Sequence, residues 1–139
     1  MRCWHKDLLK FLPEKQLLSQ WRECCSIAKG ISETGTTNHI LINRIMDYPL
    51  SHFVFYTGLV ATEMEKRGYK VNPKTFTRYG LVEKCKDEPT PSYDELFKDW
   101  HDTGYYLQCY FNLEEKYDCG GITKDEWLKI KWRGVYGKE

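Results

Sequence analysis

Pro13-Glu14-Lys15-Gln16-Leu17-Leu18-Ser19-Gln20-Trp21-Arg22-Glu23-Cys24-Cys25-Ser26-Ile27-Ala28 is the stretch whose periodicity sets the fold class. Pro13 suits a first helical position, because a helix start leaves its N–H groups unpaired and proline has none to lose. Good helix formers follow it. At about 100° per residue, Leu17, Leu18, Trp21, Cys24, Cys25 and Ala28 fall on one apolar arc, the stripe a helix buries. Gly30 is the expected stop, within a Gly/Ser/Thr loop over 29–36. Arg22 lies at the edge of the arc, and Glu23 about 200° from its centre, beside Gln16, Ser19 and Ser26. The helix's own stripe therefore buries neither Arg22 nor Glu23, and both can line a cleft.

The same reading extends along the chain. Thr37 to Met46 is a candidate short apolar helix, and Pro49 opens another with Phe53, Tyr56, Val60 and Met64 at helical spacing. Lys66 and Arg67 sit in its last turn and Gly68 is the left-handed cap. Asn72-Pro73 predicts a brief helix over 73–79. Pro89 to Ser92 is a loop. A long helical stretch runs from Tyr93 to about Tyr117, with Leu96, Trp100, Leu107, Tyr110 and Leu113 inward, until Gly120-Gly121 breaks it. Thr123 to Glu126 reads as a capping box for a last helix. No strand pattern persists beyond Tyr69 to Val71. The expected architecture is all-α: a compact single-domain helical bundle over residues 1–139, with both termini near one face.

Composition narrows the function classes. Hydrophobic residues at 41% and aromatics at 15% exclude a disordered chain. No apolar run approaches the roughly 20 residues of a membrane helix, and Lys6, Asp7 and Lys10 interrupt any leader-like start. A cytoplasmic protein with no membrane partner is expected. Cys3, Cys24, Cys25, Cys85, Cys109 and Cys119 form no C-x-x-C pair, and most read as small buried thiols; a zinc site assembled from distant Cys and His is the alternative, and no metal ligands are assigned. Glu115 to Trp127 carries Gly120, Ile122 and Glu126 as a calcium loop would. Tyr117 and Cys119 then fall at ligand positions that need hard oxygens, so the segment reads as a turn plus capping box. His101-Asp102 and Asn38-His39 are polar pairs, but helical neighbours point about 100° apart, so neither is a preformed dyad. Asn38 reads as a helix cap, and His39 follows the loop.

The formal net charge of +1 is low for a non-specific DNA binder, yet it is unevenly spread. Lys6, Lys10, Lys15, Arg22 and Lys29 gather near the start. At the other end Trp127, Trp132 and Tyr136 lie among Lys129, Lys131, Arg133 and Lys138. Aromatics interleaved with cations suit a nucleic-acid surface. The start of the chain, Met1-Arg2-Cys3-Trp4-His5, precedes the Arg22-Glu23 pair by one segment. That spacing can bring a terminal amine to an arginine and a carboxylate, the layout of an enzyme whose nucleophile is its own N-terminus.

Three blocks resemble the pyrimidine-dimer DNA glycosylase family, of the phage endonuclease V type, with this chain as a divergent member. They are the N-terminal segment through Gln16-Leu17-Leu18-Ser19-Gln20-Trp21-Arg22-Glu23, the helix end Leu59-Val60-Ala61-Thr62-Glu63-Met64-Glu65-Lys66-Arg67-Gly68-Tyr69-Lys70-Val71, and the tail Trp132-Arg133-Gly134-Val135-Tyr136-Gly137-Lys138. The resemblance implies an all-helical enzyme that cuts damaged DNA without a metal or other cofactor. The α-amine attacks C1′ of the damaged nucleotide, the base leaves, and a Schiff base forms. The matching glutamate assists this step and the β-elimination that follows, and a nucleotide is flipped from the duplex. Residue by residue, it implies Met1, Glu23 and Arg22 as catalytic, and Arg2, Gln16, Lys131, Trp132, Arg133, Tyr136 and Lys138 as DNA-binding. Arg2 is too large for methionine removal, so the amine is expected to be that of a retained Met1. Gln16 stands where the phage enzyme has a histidine.

The chemistry is coherent. An α-amine titrates near roughly 7.7–8.0, so about a tenth of such amines are neutral at pH 7, whereas a lysine near 10.4 would need strong desolvation. The expected partner is double-stranded DNA containing a lesion, bound by a monomer. The alternatives are a non-catalytic nucleic-acid-binding domain of the same fold, a protein-interaction module, and a metal-dependent nuclease.

Overall fold

A computed structural model of the chain describes residues 1–130, whose regular structure is all helix, with no strand among them. A 3-10 turn at Lys6–Phe11 leads into α1 (Glu14–Thr34). A second 3-10 turn, Asn43–Asp47, precedes α2 (Leu50–Lys66). Short helices α3 (Lys74–Thr77) and α4 (Leu81–Lys84) follow, then α5 (Thr103–Asp118) and α6 (Lys124–Lys129). The all-α expectation holds. α1 packs mainly on α2, and α2 also meets both 3-10 turns and α4. Leu8, Leu12, Leu17, Phe53, Tyr56, Leu81, Leu96, Phe97, Leu113 and Ile130 are fully buried at the centre.

α1 departs from the sequence reading in two ways. It runs through Gly30 and ends at Gly35, whose φ of 79° is the left-handed cap and whose N–H reaches the Ile31 carbonyl at 2.8 Å. An interior glycine costs about 1 kcal/mol, less than burying Ile31 beyond the expected stop contributes. The expected loop over 29–36 is therefore mostly helix. The buried face is also rotated. It comprises Leu17, Gln20, Cys24, Cys25, Ile27, Ala28 and Ile31, while Leu18 and Trp21 are only half-buried. That turns its centre by roughly 55° from the sequence arc and brings Glu23 to roughly 100° from it, at the margin of the core.

α2 begins after Pro49 and closes at Gly68 (φ 87°), as expected. Arg67 does more than complement the helix dipole. Its Nη1 donates to the Leu12 carbonyl at 2.7 Å and its Nη2 to Lys10 at 3.2 Å, while Nε pairs with Glu63 at 2.9 Å. The end of α2 thus clamps the exit of the first 3-10 turn.

The brief helix expected over 73–79 narrows to α3, and two other expected helices are much shorter than read. In 37–46 the β-branched Ile40, Ile42 and Ile45 disfavour helix, and Pro49 forces Tyr48 into extended backbone (φ −118°, ψ 157°). Only the 3-10 turn Asn43–Asp47 remains, and its N-cap is Ile42 rather than Asn38. The stretch from Tyr93 is a series of turns, with Phe97 (φ 51°) and Asp99 (φ 73°) left-handed. Such residues cost about 1–3 kcal/mol each. The cost is offset by burying the Phe97 ring among Tyr56, Trp100 and His101 and by His52 Nδ1 accepting the Phe97 N–H at 3.1 Å. α5 therefore starts only where Asp102 accepts the Tyr105 N–H at 2.8 Å. Its buried face is Tyr106, Cys109, Tyr110 and Leu113, which leaves Leu107 exposed rather than inward. The capping box at Thr123–Glu126 forms as read. Glu126 also accepts the Glu14 N–H at 2.8 Å, so one carboxylate caps both α6 and α1.

Candidate active site

The first five residues precede the 3-10 turn and carry backbone groups that helix hydrogen bonds cannot satisfy. Side chains from three helices satisfy them instead. Tyr105 of α5 donates its hydroxyl to the Cys3 carbonyl. Gln20 of α1 accepts the Trp4 N–H at 2.8 Å, and Tyr56 of α2 donates to the Trp4 carbonyl. The Lys6 N–H donates to His101 Nδ1 at 3.0 Å, and Lys6 Nζ to the Tyr93 and Leu96 carbonyls. Cys3 to Lys6 are all buried by this arrangement. The fixed segment leaves Met1 at the surface, where its α-amine lies 3.8 Å from Glu23 Oε1.

That separation is ion-pair distance, beyond direct hydrogen-bond reach. The side chains of Met1 and Glu23 are 29% and 26% exposed, so solvent reaches both. Burial raises the Glu23 carboxyl above its ordinary range, against the opposing pull of the Met1 ammonium, His39, the Arg2 N–H and Arg22. A carboxyl held up in this way takes and returns protons nearer neutrality than an exposed one. The nearby thiols do not compete as nucleophiles, since burial pushes Cys24 up to about 12 and Cys3 well above its usual value.

The amine and carboxylate open into a cleft of about 340 Å³ lined by Met1, Arg2, Trp4, Lys15, Gln16, Ser19, Glu23, Leu41, Asn112 and Lys116. Four residues singled out in the sequence, Met1, Arg2, Gln16 and Glu23, therefore meet in one place. The Arg2 guanidinium leans over the Trp4 ring, 5.5 Å from its centroid. Gln16 Oε1 is buried with no hydrogen-bond partner among the described residues. Arg22 does not line the cleft; it is exposed, and its Nη2 donates to Ser19 Oγ at 3.2 Å. Lys131, Trp132, Arg133, Tyr136 and Lys138 lie outside the described residues. Trp127, read with them as part of a nucleic-acid surface, is instead buried and stacked on Tyr117 at 5.2 Å. His101 is buried among rings, and burial drives it down to about 2, so it is a neutral core acceptor rather than an acid or base of the cleft.

The sequence reading missed Lys15, Leu41, Asn112 and Lys116 as walls. For Lys15 a signal existed: Lys15, Ser19 and Glu23 recur at i, i+4 and i+8 on one helix face. Asn112 and Lys116 share a face of α5, but nothing local ties that face to the N-terminus. Gln20 was legible only as a lone amide at the margin of an apolar arc.

A larger groove of about 460 Å³ runs along α2 past Val54, Phe55, Leu59 and Val82. Its charged groups are already engaged: Glu88 accepts the Ser51 N–H at 2.9 Å and Lys86 pairs with Glu83 at 3.0 Å. It offers no amine–carboxylate couple. Among the described residues, no helix is long and apolar enough to cross a membrane.

No curated protein and no solved structure matches the chain. The profile of the pyrimidine dimer DNA glycosylase family matches residues 1–77. That span contains the buried N-terminal segment, α1 with Glu23, α2 with its Arg67 clamp, and the turn bearing Leu41. It covers more than half of the 139 residues and every element that brings Met1 to Glu23 except α5 and the turns before it. The chain belongs to the pyrimidine dimer DNA glycosylase family.

Proposed function

We propose that the chain excises a damaged base from double-stranded DNA and then nicks the strand as an abasic-site lyase, with the Met1 α-amine as nucleophile. Family membership supports DNA glycosylase activity. The observation that carries the finer reading is the Met1 amine 3.8 Å from Glu23, at the mouth of a cleft walled by Arg2, Lys15 and Lys116. The neutral amine forms a bond to C1′ while the glycosidic bond breaks, and the base leaves with that electron pair and takes up a proton. The proton lost from nitrogen passes to Glu23 and on to the ring oxygen, which departs from C1′ with its bonding pair as a hydroxyl and leaves a protonated C1′=N imine. Removal of a C2′ proton expels the 3′-phosphate and cuts the strand. Glu23 also faces the positive charge that develops at the sugar. Arg2 and Arg22 hold phosphates, and Gln16 offers an amide to the DNA. No step requires a metal.

The test is borohydride trapping on ultraviolet-irradiated and abasic duplexes. A covalent protein–DNA adduct is expected, lost in Glu23→Gln. Salt-sensitive binding without any adduct would refute the enzymatic reading and leave a non-catalytic DNA-binding domain of the same fold.

A further inference from the structure

Past α1 the chain returns to the cleft through a tight turn. The Ile42 N–H meets the His39 carbonyl at 3.0 Å, which places Ile40 and Leu41 at the two central positions. The turn is braced from both sides. Thr37 Oγ1 donates to Asn43 Oδ1 at 2.7 Å across its base, and His39 Nδ1 accepts the Leu41 N–H at 3.2 Å. Ile42 and Ile45 are buried and anchor it to the core. Ile40 is nevertheless 85% exposed and Leu41 46% exposed. Single exposed aliphatics are common on protein surfaces. These two differ in being adjacent, carried on a braced tip, and set at the rim of the cleft, whose wall includes Leu41 together with Met1 and Glu23.

We propose that Ile40, backed by Leu41, is a wedge that enters the base stack beside the lesion when the target nucleotide leaves the duplex; this rests on the glycosylase reading above. Extruding a nucleotide forfeits its stacking, and branched or long aliphatic side chains are suited to fill the gap, unstacking and kinking the duplex as they insert. The charge of the rim points to DNA as the occupant rather than an apolar protein face. Arg2, Lys15 and Lys116 surround the cleft against the single carboxylate of Glu23, the balance a phosphate backbone requires. The wedge also explains why the turn exposes its aliphatic tip while burying the isoleucines behind it.

The test compares two substrates with Ile40→Ala and Ile40→Leu. One is an abasic site in a fully paired duplex, and the other is the same site inside an unpaired bubble, where no stack has to be opened. Ile40→Ala is expected to lower the rate of borohydride trapping about tenfold on the paired duplex and less than about twofold on the bubble. Ile40→Leu should retain the paired-duplex rate. Fluorescence of 2-aminopurine placed beside the site should report less unstacking with Ile40→Ala. Equal losses on both substrates, or no loss on the paired duplex, overturn the wedge. So does unchanged trapping accompanied by a loss of self-association in Ile40→Ala, which would assign the tip to a protein contact. Absence of an adduct from the wild-type chain on either substrate would instead be the failure of the glycosylase reading.

Discussion

Gln20→Leu isolates what holds the N-terminus in place. Gln20 is fully buried, and its Oε1 accepts the Trp4 N–H at 2.8 Å and lies 3.1 Å from the Tyr56 hydroxyl, whose one proton it shares with the Trp4 carbonyl. Leucine is close in size and leaves little cavity, so the loss is mainly polar. Tyr56 keeps the Trp4 carbonyl as acceptor. The Trp4 N–H is left buried without a partner, which costs about 1–3 kcal/mol, and the Tyr56 proton, held on the Trp4 carbonyl, adds little to the loss. Favourable burial of leucine in place of an amide recovers part of this, giving a predicted net loss of about 1–2 kcal/mol. A domain with about 5–15 kcal/mol of stability survives that loss. Trp4 is three residues from the reactive amine, and a displacement near 1 Å costs about 100-fold in a positioned reaction. Urea unfolding and borohydride trapping should therefore show a lowered midpoint together with a trapping rate reduced about 10- to 100-fold. DNA affinity should remain close to wild type. A stability change under about 0.5 kcal/mol with an unchanged trapping rate would refute the idea that this amide positions Met1.

Three further outcomes are expected. His101 is held neutral in the fold, with its folded value depressed to about 2; its stabilising contribution is complete above an unfolded value near 6.5 and is lost as pH falls. Unfolding at pH 5 should show a loss of about 2 kcal/mol relative to pH 7, and His101→Asn, which retains an acceptor for Lys6 N–H, should flatten that dependence. Burial alone would raise Glu126, but N–H groups of Glu14 and Thr123 outweigh it and hold the carboxyl below its usual range. Its stabilisation is present above the ordinary carboxylate range and lost on acidification, and Glu126→Ala should cost about 1–2 kcal/mol at neutral pH by urea unfolding. For Glu23, carbon-detected NMR should give a carboxyl midpoint above the ordinary value near 4.3. Acetylating the N-terminus, which removes the ammonium's pull, should move it higher still; a downward movement would contradict the placement of the amine.

The long-range arrangement divides into what periodicity can carry and what it cannot. α2, with its proline start and its Lys66-Arg67-Gly68 end, was legible because every signal is local. So was the capping box at Thr123, although its second role at Glu14 was not, since 112 residues separate the partners. The start of α1 was legible but its end at Gly35 was not, and its face was read rotated, because half-buried Leu18 and Trp21 weigh the same in a helical wheel as fully buried positions. Phe97 and Asp99 defeated the reading of Tyr93 onward, since left-handed backbone at a phenylalanine is imposed by His52 and a ring cluster rather than by local preference. In the cleft, Met1, Arg2, Gln16 and Glu23 were legible through the resemblance together with the polar face of α1. Leu41, Asn112 and Lys116 arrive from other elements and leave no mark near the N-terminus.

The central claim concerns which nitrogen becomes joined to DNA. After borohydride reduction on an abasic duplex, the adduct can be digested and its peptide sequenced by mass spectrometry. The account predicts the added sugar mass on the α-nitrogen of Met1, within a peptide beginning Met1-Arg2, and no such mass on any lysine. A modified Lys15 or Lys116 side chain with Met1 unaltered would contradict it.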